Sequence, residues 1–265
     1  MRVLPVEKRK SEMLVGRDEQ GDARDGDLVE VSFGKQTKFG LPRAKIERVL
    51  GSLDNEFAIT TIALHAHNIP YIKPDDAMAE ADAAEPITDL GRREDWRDIP
   101  LITIDPADAK DHDDAVYAVP DHDPSNPDGF VVTVAIADVA HYVQTGGAMD
   151  REAIKRGNSV YFPDRVVPML PERVSNFLCS LREAEDKPAI AVRMVFEASG
   201  KKRKHSFHRI MMRSHAKLAY EEAQKAIEGT VSARAEAVLD TALKPLWAAY
   251  DCLKRGQETR EPLEI

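Results

Sequence analysis

Cysteine is scarce in this chain. Only Cys179 and Cys252 occur, far apart and outside any CxxC spacing, so neither a disulfide framework nor a zinc site is indicated. Both are expected to be buried thiols. Long apolar runs are also missing: no stretch approaches the roughly 20 residues that span a bilayer, and the N-terminal MRVLPVEKRK has no signal-like apolar core. The expectation is a cytoplasmic globular chain with no membrane partner and no evident obligate protein partner. Positive charge is in deficit as well, with 37 Lys and Arg against 46 Asp and Glu, a net charge of -9. As a sum this disfavours nucleic acid.

Its distribution says otherwise. From Asp75 to Asp128 there are 17 acidic residues against 4 basic, whereas Arg193 to Lys217 holds 8 basic residues against Glu197 alone. An acidic centre with basic flanks suits a metal-dependent enzyme acting on a polyanion, because a cation inverts the potential where chemistry occurs while distant Lys and Arg hold phosphates. The blander alternative for KKRKH, Lys201 to His205, is a solvated hairpin tip after Gly200.

With 265 residues, 43% of them hydrophobic, the chain has room for one full-sized domain or two smaller ones. Short β-like runs separated by turns fill the first 50 residues: Val3 to Val6, Glu12 to Val15, Leu28 to Phe33 and Ala44 to Leu50. They suggest part of a small barrel. Asn55 to Asn68 has near-helical apolar spacing, and Asp76 to Ala84 is a second short helix candidate. The domain boundary is placed near Thr88 to Arg92.

Beyond it, strands are expected at Leu101 to Ile104 and Ala115 to Val119. The apolar run Phe130 to Val143 reads as one buried strand, with His141 near its end as a hydrogen-bonded structural residue. Asp150 to Arg156 reads as a short helix, Val160 to Pro171 as extended, and Ala189 to Glu197 with Lys204 to Ser214 as a strand pair. Leu239, Leu243, Leu246, Tyr250 and Leu253 follow helical spacing and predict a core-facing helix, disturbed at Pro245.

The most informative segment is ITIDPADAKDHDDAVYAV, Ile102 to Val119. It sets five aspartates, Asp105, Asp108, Asp111, Asp113 and Asp114, within ten residues. Such carboxylates share a site only if a cation offsets their repulsion or several stay protonated. Oxygen ligands without Cys or His suit Mg²⁺ or Mn²⁺. Pro106 pushes Asp105 toward extended backbone at a strand end. An EF-hand fails, since starting at Asp111 puts Val116 where the turn glycine belongs and His122 where the bidentate Glu belongs. His112 has a phosphate contact or a general-base role as its functional reading, against the exposed loop histidine that does neither, which is the expectation, and the bland alternative for the whole run is a solvated acidic turn.

TIDPADAKDHDDA, IADVAHYV at Ile136 to Val143, and NSVYFPDRVVPMLPERVSNFLCSLR at Asn158 to Arg182 together resemble the RNB catalytic domain of the ribonuclease II and ribonuclease R exoribonucleases, most of all the bacterial ribonuclease R branch. The resemblance implies an α+β chain: a partial cold-shock, OB-like β-barrel at 1–50, a helical connector at 51–91, and the N-terminal portion of an RNB catalytic domain at 92–265. It further implies Mg²⁺-dependent (Mn²⁺ possible), processive 3'-to-5' hydrolysis of single-stranded RNA to nucleoside 5'-monophosphates, in RNA decay and processing. By the same resemblance Asp105, Asp111 and Asp114 serve the metal, Asp113 is essential for the chemical step, and Tyr161 packs near the 3'-terminal nucleotide; Asp108 is outside the essential set.

Without the family, Tyr161 reads as a core or interface aromatic. Phosphodiester hydrolysis through carboxylate-held cations needs no Ser, Cys or His nucleophile. The family's catalytic domain is nearly twice as long as the part present, and the chain stops in REPLEI, so a fragment is expected. The alternative to the enzyme is therefore a catalytically incompetent RNA-binding or inert fragment.

Overall fold

A computed structural model describes residues 1–7, 10–34, 40–55 and 57–258; the terminal REPLEI lies outside them. The chain forms two compact units, 1–73 with 158–167, and 74–157 with 168–265. Helices and strands are mixed in both, as an α+β chain requires.

In the first unit, β1 (Arg2–Val3) pairs with β2 (Met13–Leu14), and β3 (Asp27–Phe33) pairs antiparallel with β4 (Ala44–Ser52). The ladder between β3 and β4 shifts register twice, and among the described residues these pairs do not close into a barrel. Met13, Val15, Ala23, Ala44 and Ile46 form the small core. Helix α1 (Ala58–Ala66) buries Leu64. Residues 158–167 return to this unit because Thr60 Oγ1 donates to Asp164 Oδ1 at 2.5 Å and the Arg165 guanidinium stacks 4.6 Å from the Phe57 ring centre.

The second unit begins with α2 (Asp75–Ala83), whose Asp75 and Asp76 favour the positive helix N-terminus. The expected boundary at Thr88 to Arg92 falls after this helix, whereas the units divide at Lys73 and Pro74. The reason is packing. Ala77 and Ala81 are fully buried in the second unit's core, and Arg173 donates to the carbonyls of Ala81 and Ala84. β5 (Glu94–Asp95), β6 (Thr103–Asp105), β7 (Asp114–Pro120) and β8 (Phe130–Ala137) follow. The turn-rich DHDPSNPDG is ordered by Asn126, which donates to Asp121 Oδ2 at 2.7 Å and to the Phe196 carbonyl at 3.0 Å.

The apolar run from Phe130 does not continue as one strand to Val143. β8 ends at Ala137, and the one-turn helix α3 (Val139–Tyr142) follows. Asp138 makes the corner: its carboxylate is buried and takes Arg93 at 2.7 Å and Arg209 at 2.9 Å. His141 therefore sits on that helical turn, exposed, with its ring edge-on to Tyr142. Helix α4 (Ala148–Arg156) is capped from outside by Glu80, which accepts the N–H groups of Ala148 and Met149.

After the hairpin of β9 (Val160–Tyr161) and β10 (Val166–Val167) and a π-turn at Arg173–Leu178, the chain forms β11 (Asp186–Phe196), β12 (Lys202–Arg213) and β13 (Lys217–Ala219), then α5 (Tyr220–Ile227), α6 (Ala233–Val238) and α7 (Lys244–Glu258). The main sheet runs β5-β12-β11-β8-β7, antiparallel except for β5 on β12. Its alanines decide how closely other layers approach. Ala115, Ala135, Ala189 and Ala191 on one face lie in the core with Met149, Val174 and Leu178, while Ala118, Val132 and Phe196 on the other meet Ala249 of α7.

Pro245 lies in the first turn of α7, where its missing N–H costs nothing, and the helix before it ends through a π-turn at Leu239–Leu243. The buried stripe of α7 is Ala249, Cys252 and Gly256, and Tyr250 is exposed, so the leucine-tyrosine register is only partly the core-facing one. Both cysteines are buried, and burial pushes the Cys179 thiol up to about 12. Gly200, at φ +79°, turns β11 into β12 against α7. A Cβ there would stand 2.5 Å from the Cys252 carbonyl oxygen and 2.7 Å from Gly256. Gly200→Ala is expected to lower unfolding stability by about 1–3 kcal/mol, read as a shift in the urea midpoint. No described helix is long and apolar enough to cross a membrane.

Candidate active site

Asp105 is the last residue of β6 and Asp114 the first of β7, so two strand ends fix two carboxylates at the loop's boundaries. Parallel β13 holds β6 in register, with Ala219 opposite Asp105, and a bridge between Ile102 and Val116 ties β6 to β7.

The loop between them is pinned through its backbone. Lys217 Nζ donates to the Ala109 carbonyl at 3.1 Å. The Ser180 hydroxyl donates to the Lys110 carbonyl at 3.0 Å and accepts the His112 N–H at 3.2 Å. Leu181 N–H donates to the His112 carbonyl at 2.7 Å, and Ala137 N–H to the Asp113 carbonyl at 2.9 Å. Ser180 and Leu181 belong to SNFLCSLR, and Ala137 to IADVAHYV. Two distant motifs thus clamp the aspartate loop.

Sequence reading missed Ser180 and Lys217, and it misjudged His112. That residue is buried, 2% exposed, and its Nδ1 lies 2.8 Å from Asp105 Oδ2. The only local hint at Ser180 is a small hydroxyl set in an apolar run, which does not say what it touches.

Electrostatics tie three of the aspartates together. The Asp114 carboxyl is pushed above the usual carboxylate range, first by desolvation and then by the charges of Asp113 and Asp105. Its side chain reaches solvent, yet the atoms crowded around it remove enough water for the neighbouring charges to be felt. Asp108 and Asp111 are exposed on the loop and are not among the charges that raise Asp114.

An acid whose pKa is raised by folding binds more protons folded than unfolded. Stability therefore falls as pH rises from the unfolded value of 3.8 through the raised folded value. Above that window the repulsion is fully present. Asp114→Asn removes it, and the metal-free variant is expected to melt above the wild type at neutral pH, with the difference vanishing in acid.

Among the described residues no three His, Cys, Asp or Glu side chains converge as a cage for a metal ion. Mg²⁺ does not require one, because it keeps several waters and commonly takes one or two carboxylates plus a substrate phosphate. The donor set is of the right kind, and the repulsion at Asp114 is what a cation relieves.

A family model for the RNB domain matches residues 93–263. The chain belongs to the RNB family. Ribonuclease R of Vibrio parahaemolyticus is 36% identical to it over 271 residues, covering 99% of this chain and 32% of that protein. Ribonuclease R of Escherichia coli is 37% identical over 264 residues, covering 97% and 32%. The structure of Mycoplasma genitalium RNase R in complex with double-stranded RNA matches with a TM-score of 0.86 at 25% identity, over 95% of this chain and 45% of that one. This RNB chain spans about a third of the length of those curated relatives.

Two further surface features lie outside the aspartate loop. Tyr161, in the first unit, is 69% exposed on the hairpin of β9 and β10, which excludes the reading of a buried core aromatic. In the second unit, Arg193, Lys204, His205 and Ser206 border an open cleft over Val131 and Val195, with Asp121 at its edge. Basic residues on the β11–β12 hairpin thus share a surface.

Proposed function

We propose that this chain carries the metal-binding part of an exoribonuclease that hydrolyses single-stranded RNA from its 3' end to nucleoside 5'-monophosphates. One observation carries the reading: Asp105, Asp113 and Asp114 are held close enough to raise the Asp114 pKa, in a chain of the RNB family. A ribonuclease R relative has been captured with RNA, and RNA is the polyanion this site is assigned.

Asp105 and Asp114 would hold Mg²⁺ or Mn²⁺, with Asp111 supporting the site from the exposed loop. Bound there, the cation would supply charge neutralisation on the nonbridging oxygens and an activated water. Asp113, exposed beside them, would orient the attacking water and take a proton from it. Water attacks the phosphorus and the P–O3' bond breaks; the proton taken by Asp113 passes through solvent to the leaving 3' oxygen, which becomes a hydroxyl, and the phosphate stays on the 5' carbon of the released nucleotide. Tyr161 packs against the terminal nucleotide, and the basic surface around Arg193 and Lys204 holds backbone phosphates at a distance.

A second reading is favoured by length. The chain spans about a third of its curated relatives, so a non-catalytic RNA-binding or inert piece is the competitor. Incubating the purified chain with 5'-labelled single-stranded RNA separates the two. Stepwise shortening with Mg²⁺ and none with EDTA is expected; intact RNA in both, from protein that melts cooperatively, overturns the enzymatic reading for this chain.

A further inference from the structure

His112 lies inside the aspartate run but supplies none of its carboxylates and takes no part in the proposed hydrolysis. Its position is nevertheless the most constrained in the loop. The main chain is held on both sides, by Ser180 Oγ on its N–H and by Leu181 N–H on its carbonyl. The ring is 2% exposed, and Nδ1 meets Asp105 Oδ2 at 2.8 Å. Asp105 is itself 7% exposed, and this is the one hydrogen bond given to its side chain among the described residues. An ionised carboxylate only accepts, so Nδ1 carries the proton.

We propose that His112 is a positioning residue for Asp105: it holds Oδ2 and so orients the carboxylate, leaving Oδ1 for a divalent cation. The proposal rests on the reading of Asp105 and Asp114 as cation ligands. Rotating the Asp105 carboxylate would break a charge-assisted hydrogen bond in a water-poor setting, where such a bond is strong. The order of support runs Ser180 and Leu181 to the His112 backbone, the imidazole to Asp105, and Asp105 to the cation. Partners of this kind fix the direction of a ligand before the metal arrives.

The test is Mn²⁺ binding to the full chain without RNA, followed by the electron paramagnetic resonance signal of free Mn²⁺. His112→Phe keeps an aromatic ring and removes the donor; His112→Asn restores an N–H near the Nδ1 position. The Phe variant is expected to bind Mn²⁺ about 10- to 100-fold more weakly, and the Asn variant to recover most of that loss. A merely structural role would not return with Asn alone. Wild-type affinity in the Phe variant, while Asp114→Asn is impaired, overturns the positioning role and leaves the metal site standing. Equal binding by wild type and Asp114→Asn, or none by wild type, overturns the metal-site reading and this proposal with it. Should the Phe variant lose its cooperative melt, His112→Leu takes its place under the same readings.

Discussion

Asp113→Asn is expected to reduce metal-dependent RNA hydrolysis by about 10²-fold or more while leaving the melting temperature at or above that of the wild type. The two halves of this expectation have different causes. The side chain of Asp113 is exposed, and its structural contribution is a main-chain carbonyl that accepts the Ala137 N–H, which asparagine keeps. Removing its charge also removes one of the two charges that raise the Asp114 pKa, so folding does not suffer. What asparagine cannot do is take a proton from water. Initial rates on 5'-labelled RNA, read beside a thermal melt, check both halves; a variant that hydrolyses RNA at the wild-type rate refutes the assigned role.

The largest stability effect is expected at Asp138. Its carboxylate is 1% exposed and faces the Arg93 guanidinium, itself 7% exposed, together with Arg209, which is 54% exposed. Asp138→Ala would leave Arg93 as a buried cation without its carboxylate partner, and among the described residues one of its nitrogens, Nη1, already lacks a hydrogen-bond partner. Breaking a buried pair in this way costs about 3–5 kcal/mol. Arg209 can turn to water, so the penalty falls on Arg93. Urea denaturation measures it. A change below about 1 kcal/mol, the level of an exposed pair, would show that the cluster does not hold the β8 corner.

The aspartate run was legible because its message is local. A proline after Asp105, two β-prone flanks and crowded carboxylates place the charges at strand ends whatever the rest of the chain does. Helices α2 and α4 were legible from local composition, although the expected starts at Asp76 and Asp150 fall one and two residues inside the observed ones.

Distance in sequence hid the remainder. Ser180 reaches the loop across 68 residues, and nothing near it announces that target. His112 looked exposed because its neighbours are charged; Ser180 and Leu181, distant in sequence, hold its main chain, and the residue is buried. The Phe130 to Val143 run is mostly apolar, and periodicity alone could not place the corner that Arg93 and Arg209 impose on Asp138. Tyr161 stood in a recognised motif, yet its chain segment belongs with the first unit, a placement set by Asp164 and Arg165 meeting Thr60 and Phe57.

Asp105 and Asp114 are proposed to hold a divalent cation that relieves their repulsion. Binding to the folded state alone raises stability by RT ln(1 + [L]/Kd), about 2.7 kcal/mol at a hundredfold excess over Kd. The direct measurement is the unfolding midpoint of wild type and Asp114→Asn as Mn²⁺ is titrated from an EDTA baseline. Cation binding there predicts a wild-type midpoint that starts lower and climbs with the logarithm of Mn²⁺ concentration, and a variant midpoint that starts higher and stays nearly flat. A flat wild-type curve, or two curves that climb in parallel, would contradict it.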